Sequence, residues 1–174
     1  MEQRVLIPLD GSEASEAILL KLDNLLFKEI RRSDVEITLL RVMPIVNFNV
    51  LTTDERAQLP YNEVEKKEMT QNAMEYLAKI AGTLKSKGFK VDARVKTGPA
   101  AEKIVETAHE IKAGLIAMST HGENRIIRWA KGSIAEKVMK LEHEIPVLAI
   151  NPYQKDDKNP ILPIDSLQSL IKHV

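Results

Sequence analysis

Residues 118–133 read Met-Ser-Thr-His-Gly-Glu-Asn-Arg-Ile-Ile-Arg-Trp-Ala-Lys-Gly-Ser, and this stretch gathers the residue types most suited to chemistry in the chain. It follows an apolar run, Leu115 to Met118, and leads into a helical pattern, Ile134 to Leu141. A buried strand, a polar glycine-bearing loop and Gly132-Ser133 opening a helix form the layout of an anion-binding loop. Free backbone N–H groups and the positive end of a helix dipole converge there, and they suit a phosphate-bearing ligand. Gly132-Ser133 would supply N–H groups and a hydroxyl to the phosphates, although the same pair also begins ordinary helices. Gly122 suits a close backbone approach or a plain turn. Arg125, Arg128 and Lys131, spaced three apart, could screen a polyphosphate or form a solvated face. Trp129, the single tryptophan, is either a contact surface or packed on the domain.

Other chemistries find little support. His121 has the chemistry of a general base, but no serine or carboxylate partner can be placed beside it, so no catalytic residue is assigned. His109, His143 and His173 lack metal-ligand spacing, so no metal site is expected. There is no Gly-x4-Gly-Lys-Ser/Thr, which excludes a P-loop, and no Gly-x-Gly-x2-Gly after the first strand, which excludes the common dinucleotide fingerprint. The chain has no cysteine, which removes disulfides, thiolate metal sites and cysteine nucleophiles and fits a reducing cytoplasm. Twenty-five basic residues balance twenty-five acidic ones, so no net field recruits nucleic acid or anionic membrane. The N-terminus carries no signal-peptide core, and no apolar run approaches the roughly 20 residues of a membrane span.

The elements that must position this loop follow from periodicity. With 174 residues, 44% hydrophobic and 29% charged, the chain is long and apolar enough for one globular domain. Val5 to Leu9 is a short apolar run that reads as a strand buried on both faces, with Pro8 near its C-terminal end. Asp10-Gly-Ser12 is a turn in which Asp10 can close an Asx-turn and Ser12 can cap the next helix. Ala17, Ile18, Leu20, Leu22, Leu25 and Leu26 supply that helix's apolar stripe. Val35 to Val42 is a second strand. Met43 to Pro60 is long for a structureless connection and is expected to be a lid, a binding surface or a mobile segment. Asn62 to Lys87 is the longest helical pattern, with Val64, Met69, Ala73, Leu77, Ile80, Ala81 and Leu84 at helical spacing and Gly88 as its stop. A strand at Lys90–Val95, a helix at Ala100–Ile111, a strand at Leu115–Ser119, a helix at Gly132–Leu141 and a strand at Pro146–Ile150 complete a β-α alternation. That alternation predicts an α/β fold: a five-stranded parallel sheet with helices on both faces and ligands at the C-terminal strand ends. Asn151 to Pro160 reads as a linker. Ile164, Leu167, Leu170 and Ile171 then mark a short amphipathic helix.

Three separated segments resemble one family, the universal stress proteins. Val5-Leu-Ile-Pro-Leu-Asp-Gly-Ser-Glu-Ala-Ser-Glu16 is similar to that family's opening strand and acidic turn. Ile37-Thr-Leu-Leu-Arg-Val42 is similar to its second strand. The third segment is the family's closing signature: Gly, two residues, Gly, nine residues, Gly, then Ser or Thr. Gly122, Gly132 and Ser133 match it, and Ser119 stands at the first glycine position.

The resemblance implies a Rossmann-like sheet of order 3-2-1-4-5 and a homodimer. It implies a domain over residues 1–151, leaving 152–174 as a C-terminal extension. It also implies binding of an adenine nucleotide, ATP with Mg²⁺, by a cytoplasmic stress-response module. Carried over by position, the ligand's neighbours are Pro8, Leu9, Asp10, Val42, Met118, Ser119, Gly122, Gly132, Ser133 and Ile134. Asp10 would accept a hydrogen bond from the ligand or help hold Mg²⁺, and the backbone of Val42 would meet the adenine. Serine at position 119 is strained if the site needs positive φ; if φ is negative, its hydroxyl could meet a ribose or phosphate oxygen. Val147, Leu148 and Ile150, on an apolar edge strand, are candidates for the dimer seam. Two rival readings remain: a nucleotide-free protein-interaction module of the same family, engaging an unidentified protein partner, and a slow ATPase.

Overall fold

The computed structural model describes residues 3–25, 31–44, 63–120 and 133–151. Along the chain run β1 (Gln3–Pro8), α1 (Glu13–Leu25), β2 (Val35–Met43), α2 (Glu63–Ser86), β3 (Lys90–Thr97), α3 (Ala100–Glu110), β4 (Leu115–Ser119), α4 (Ile134–Leu141) and β5 (Val147–Ile150). All four strand pairings are parallel and the order is β3-β2-β1-β4-β5. The expected sheet and its expected order are both present. The chain builds outward from β1 in one direction through β2 and β3, then crosses back to β4 and continues to β5. The reversal therefore falls between β1 and β4.

Side-chain alternation along each strand divides the core into two layers. Val5, Ile7, Ile37, Leu39 and Ala117 face one side and pack with Ile18 and Leu22 of α1 and Leu77, Ala81 and Leu84 of α2. Leu6, Leu40, Ile116 and Met118 face the other and pack with Ala101 and Ile104 of α3 and Ala135 and Val138 of α4. The inner strands β1 and β4 read as near-continuous apolar runs because both faces are covered, whereas the edge strand β3 alternates charged and apolar residues.

Two stripe residues depart from expectation. Leu20 is 68% exposed on α1 and Val64 is 65% exposed on α2. Leu20 lies two residues from both buried Ile18 and buried Leu22, so it falls on the outer side of α1, and Val64 lies at the start of α2, before its first buried residue. The fourth helix also starts later than predicted, at Ile134, because the Ser133 side chain accepts from Glu136 N and so takes the N-cap position. The Met43–Pro60 connection from residue 45 onward and the 152–174 extension lie outside the described residues.

The two sheet edges differ in character. β3 carries Lys90, Asp92, Arg94 and Lys96 on one face, and Lys96 Nζ reaches Glu106 and Glu110 of α3 at 3.0 and 2.6 Å. On β5, Leu148 and Ile150 are 0% and 6% exposed. The expected seam residues therefore need correcting: these two side chains are already core, and of the three named only Val147 is partly open.

Lys112 is the single non-glycine described residue with positive φ, at 52°. It follows α3 in the position where glycine usually ends a helix. Lys112→Gly is expected to raise the unfolding free energy by about 0.5–1 kcal/mol in urea titration, the relieved left-handed strain exceeding the added chain entropy.

Candidate functional site

Strand ends, two turns and two helix starts meet where the strand order reverses, the position at which open α/β sheets form ligand crevices. A cleft of about 400 Å³ lies there. Pro8, Leu9, Asp10, Val42, Met118, Ser119, Ser133 and Ile134 all line it, although they come from three distant parts of the chain. Gly122 and Gly132 lie outside the described residues, as do His121, Arg125, Arg128, Trp129 and Lys131. Six further residues line the cleft: Ser15, Leu40, Ala100, Ile104, Thr120 and Ala135. Leu40 sits one register step inside Val42, a position that strand alternation could have suggested. Ala100 and Ile104 come from α3, and nothing in their types marks them as site residues. Pro99 before Ala100 signals only a helix start.

Asp10 is fixed by the turn it was expected to close. Its Oδ1 accepts from the Ser12 N–H at 2.9 Å and from the Ser12 hydroxyl at 2.6 Å. Ser12 Oγ in turn accepts from the Ser15 N–H at 3.1 Å, which makes Ser12 the N-cap of α1. Between them, Gly11 has φ +83°, and a Cβ there would stand 3.4 Å from the Arg41 guanidinium. Arg41, which sequence reading did not single out, also donates from Nη1 to the Leu9 carbonyl at 3.4 Å. On the same face of the sheet, the Tyr76 hydroxyl donates to Glu16 Oε1 at 2.9 Å. Burial first, and then that carboxylate, push the Tyr76 phenol above its ordinary value, so it stays a donor across the physiological range.

Ser119 is the last residue of β4 and pairs in register with Ile150 of β5. It is not among the residues with positive φ. Serine therefore fits the extended backbone without left-handed strain. Its residue exposure is 7%, and its Oγ is the one buried side-chain polar atom without a hydrogen-bond partner among the described residues. The next residue closes the strand end: Thr120 donates to the Ile150 carbonyl from its N–H at 2.7 Å and from its hydroxyl at 3.2 Å.

The walls sort by chemistry. Leu40, Val42, Ile104 and Met118 offer an apolar bed suited to a flat ring. Hydroxyls of Ser15, Ser119, Thr120 and Ser133 and the Asp10 carboxylate offer polar contacts near the β1 and β4 ends. The start of α4 adds N–H groups and a positive dipole end. Asp10 is the one carboxylate on the described wall, and no group of three or more potential metal ligands occurs among the described residues. A divalent cation here would depend on the ligand's own phosphates for most of its oxygens.

The model of the universal stress protein family matches residues 1–151. A universal stress protein of Methanocaldococcus jannaschii is 30% identical over 154 residues, covering 88% of this chain and 85% of the relative. Another protein of that organism, solved as a hypothetical protein for structure-based assignment of biochemical function, gives a TM-score of 0.63 at 26% identity, covering 90% of this chain and 99% of that one. A universal stress protein family protein from Arabidopsis thaliana, solved with AMP bound, gives a TM-score of 0.52 at 16% identity, covering 90% of this chain and 96% of that one.

Proposed function

Since this chain belongs to the universal stress protein family, we propose that it binds an adenine nucleotide, ATP or AMP, in the cleft over β1 and β4 and serves as a regulatory module of the stress response. The observation that carries this reading is the convergence of Pro8–Asp10, Val42, Met118–Ser119 and Ser133–Ile134 on one cleft of about 400 Å³. That volume lies within the range of small-ligand sites, and the mixture of apolar bed and few polar groups is typical of them. The base lies on Leu40, Val42 and Ile104. The sugar and phosphates lie toward Asp10, the β4 end and the start of α4. The Arabidopsis relative solved with AMP supports a nucleotide of this class.

The chain's residues bind and orient the ligand, and Mg²⁺ accompanies ATP through the phosphates. The cleft's described walls hold one ionisable side chain, Asp10, whose Oδ1 is already engaged by Ser12. Binding rather than turnover is the activity this arrangement supports. A homodimer through the β5 edge in the cytoplasm completes the proposal. The edge's backbone groups, rather than Leu148 and Ile150, would form that seam.

Isothermal titration of the full chain with AMP, and with ATP in the presence and absence of Mg²⁺, tests the reading. Saturable heat at a stoichiometry near one per chain is the expected result. Silence at millimolar ligand overturns it.

A further inference from the structure

Four hydroxyl-bearing residues line the cleft, and three of their hydroxyls are engaged by the protein. The Ser15 hydroxyl donates to the Ser12 carbonyl at 2.8 Å, the Thr120 hydroxyl donates to the Ile150 carbonyl at 3.2 Å, and Ser133 Oγ accepts from the Glu136 N–H at 3.1 Å. Ser119 Oγ has no partner among the described residues, in a residue more than nine-tenths buried. An unsatisfied buried hydroxyl costs free energy, and native folds keep few of them. This one cannot be attributed to backbone strain, since Ser119 is extended and paired with Ile150. It also stands at one end of the β4–α4 loop, while Ser133, the cap of α4, stands at the other, and both line the cleft. No lysine or arginine is present on the cleft's described walls. The described walls offer an anionic oxygen N–H groups and hydroxyls.

We propose that Ser119 is a ligand contact through its side chain: on binding, its hydroxyl turns about χ1 and donates to a phosphoryl oxygen of the nucleotide. The inference rests on the nucleotide reading above. Serine has one side-chain torsion with three staggered wells, so the turn is a small adjustment. It trades an unpartnered hydroxyl for a charge-assisted hydrogen bond. On this view, serine at the first signature position reads the phosphate directly instead of merely tolerating the loss of a glycine.

The test is isothermal titration of the wild-type chain, Ser119→Ala and Ser119→Gly with AMP and with adenosine, with thermal unfolding run on all three proteins. The expected result is an AMP dissociation constant raised about tenfold in both variants, as for a lost hydrogen bond to a charged group. Adenosine affinity should change by less than about twofold, since it offers no phosphoryl oxygen. An unchanged or improved AMP affinity overturns the proposal, and so does an equal loss for adenosine, which would assign the hydroxyl to the shape of the cleft or to the ribose. Binding by the wild type with no AMP-specific loss in the variants rejects this inference alone. A wild type that binds neither ligand rejects the nucleotide reading and this inference with it.

Discussion

Ala100→Trp is expected to weaken nucleotide binding by about 100-fold or more, equivalent to about 2.7 kcal/mol, while leaving the fold intact. Ala100 is the first residue of α3, is half-buried, and lines the cleft beside Ile104, one turn further along. The first helical position makes few demands on its side chain, because its N–H has no partner within the helix. An indole placed there has the cleft as its available volume and would occupy the bed assigned to the base. Titration with AMP reads the loss, and urea unfolding should give a stability within about 1 kcal/mol of wild type, as for changes that leave the core untouched. Unaltered affinity with a folded protein would mean that the ligand does not use this cleft.

Glu142→Ala is expected to have the largest effect on stability, about 3 kcal/mol at neutral pH. The Glu142 side chain is 1% exposed. Its Oε1 accepts from the Glu144 and Ile145 N–H groups at 2.7 and 2.8 Å, and its Oε2 faces His109 Nε2 at 2.8 Å. Alanine would strand two backbone donors in the turn that delivers β5, at about 1–3 kcal/mol each when they are left unsatisfied. It would also release the tie between α3 and the end of α4.

The pH dependence follows from the same contacts. Burial pushes the Glu142 carboxyl upward, but the Ile145 and Glu144 N–H groups and His109 outweigh it, and the net position is below the ordinary value of 4.5. A carboxyl lowered in the folded state adds stability above its unfolded value, and that contribution fades as pH falls through the range below 4.5. Glu142→Gln should therefore narrow its stability gap to wild type as pH drops from 6 toward 3, as read by urea unfolding at each pH. A constant gap would exclude the charge as the source.

How far the sequence could be read depended on where each signal lay. β1, β4 and β5 were legible as short apolar runs packed on both faces, with β4 located to the residue, whereas β3 was legible from the alternation of charged and apolar residues along an edge. Asp10 and Ser12 were legible because an Asx-turn and an N-cap are made by local atoms. Pro8, Leu9, Met118 and Ile134 were named from the family resemblance by position alone, and their meeting on one cleft is visible only in the folded sheet. The α3 wall was not legible. Ala100 and Ile104 join the cleft through the way α3 lies across the sheet, which leaves no local pattern. Arg41 was missed for a similar reason: one charge in an apolar strand gives no hint that it reaches under the neighbouring turn. Leu20 and Val64 went wrong in the opposite direction: Leu20 lies two residues from both Ile18 and Leu22, on the outer side of α1, and Val64 lies at the start of α2, before its first buried residue. Ser119 lay in between. Its identity was plain, but its backbone angle and unpartnered oxygen exist only once β4 is paired with β5.

The unequal edges of the sheet also bear on how large an assembly this chain can build. A molecule with two adhesive edges can add copies without end, as fibrils do. Here β3 carries charged residues at alternate positions and is tied to α3, so in the dimer proposed above β5 is the edge that accepts the neighbour. A joint made from one edge is used up by the first copy that docks, and a two-fold arrangement satisfies both partners at once. In the dimer proposed above, growth by strand addition would therefore stop at two, which leaves no accepting edge for filament formation through this sheet.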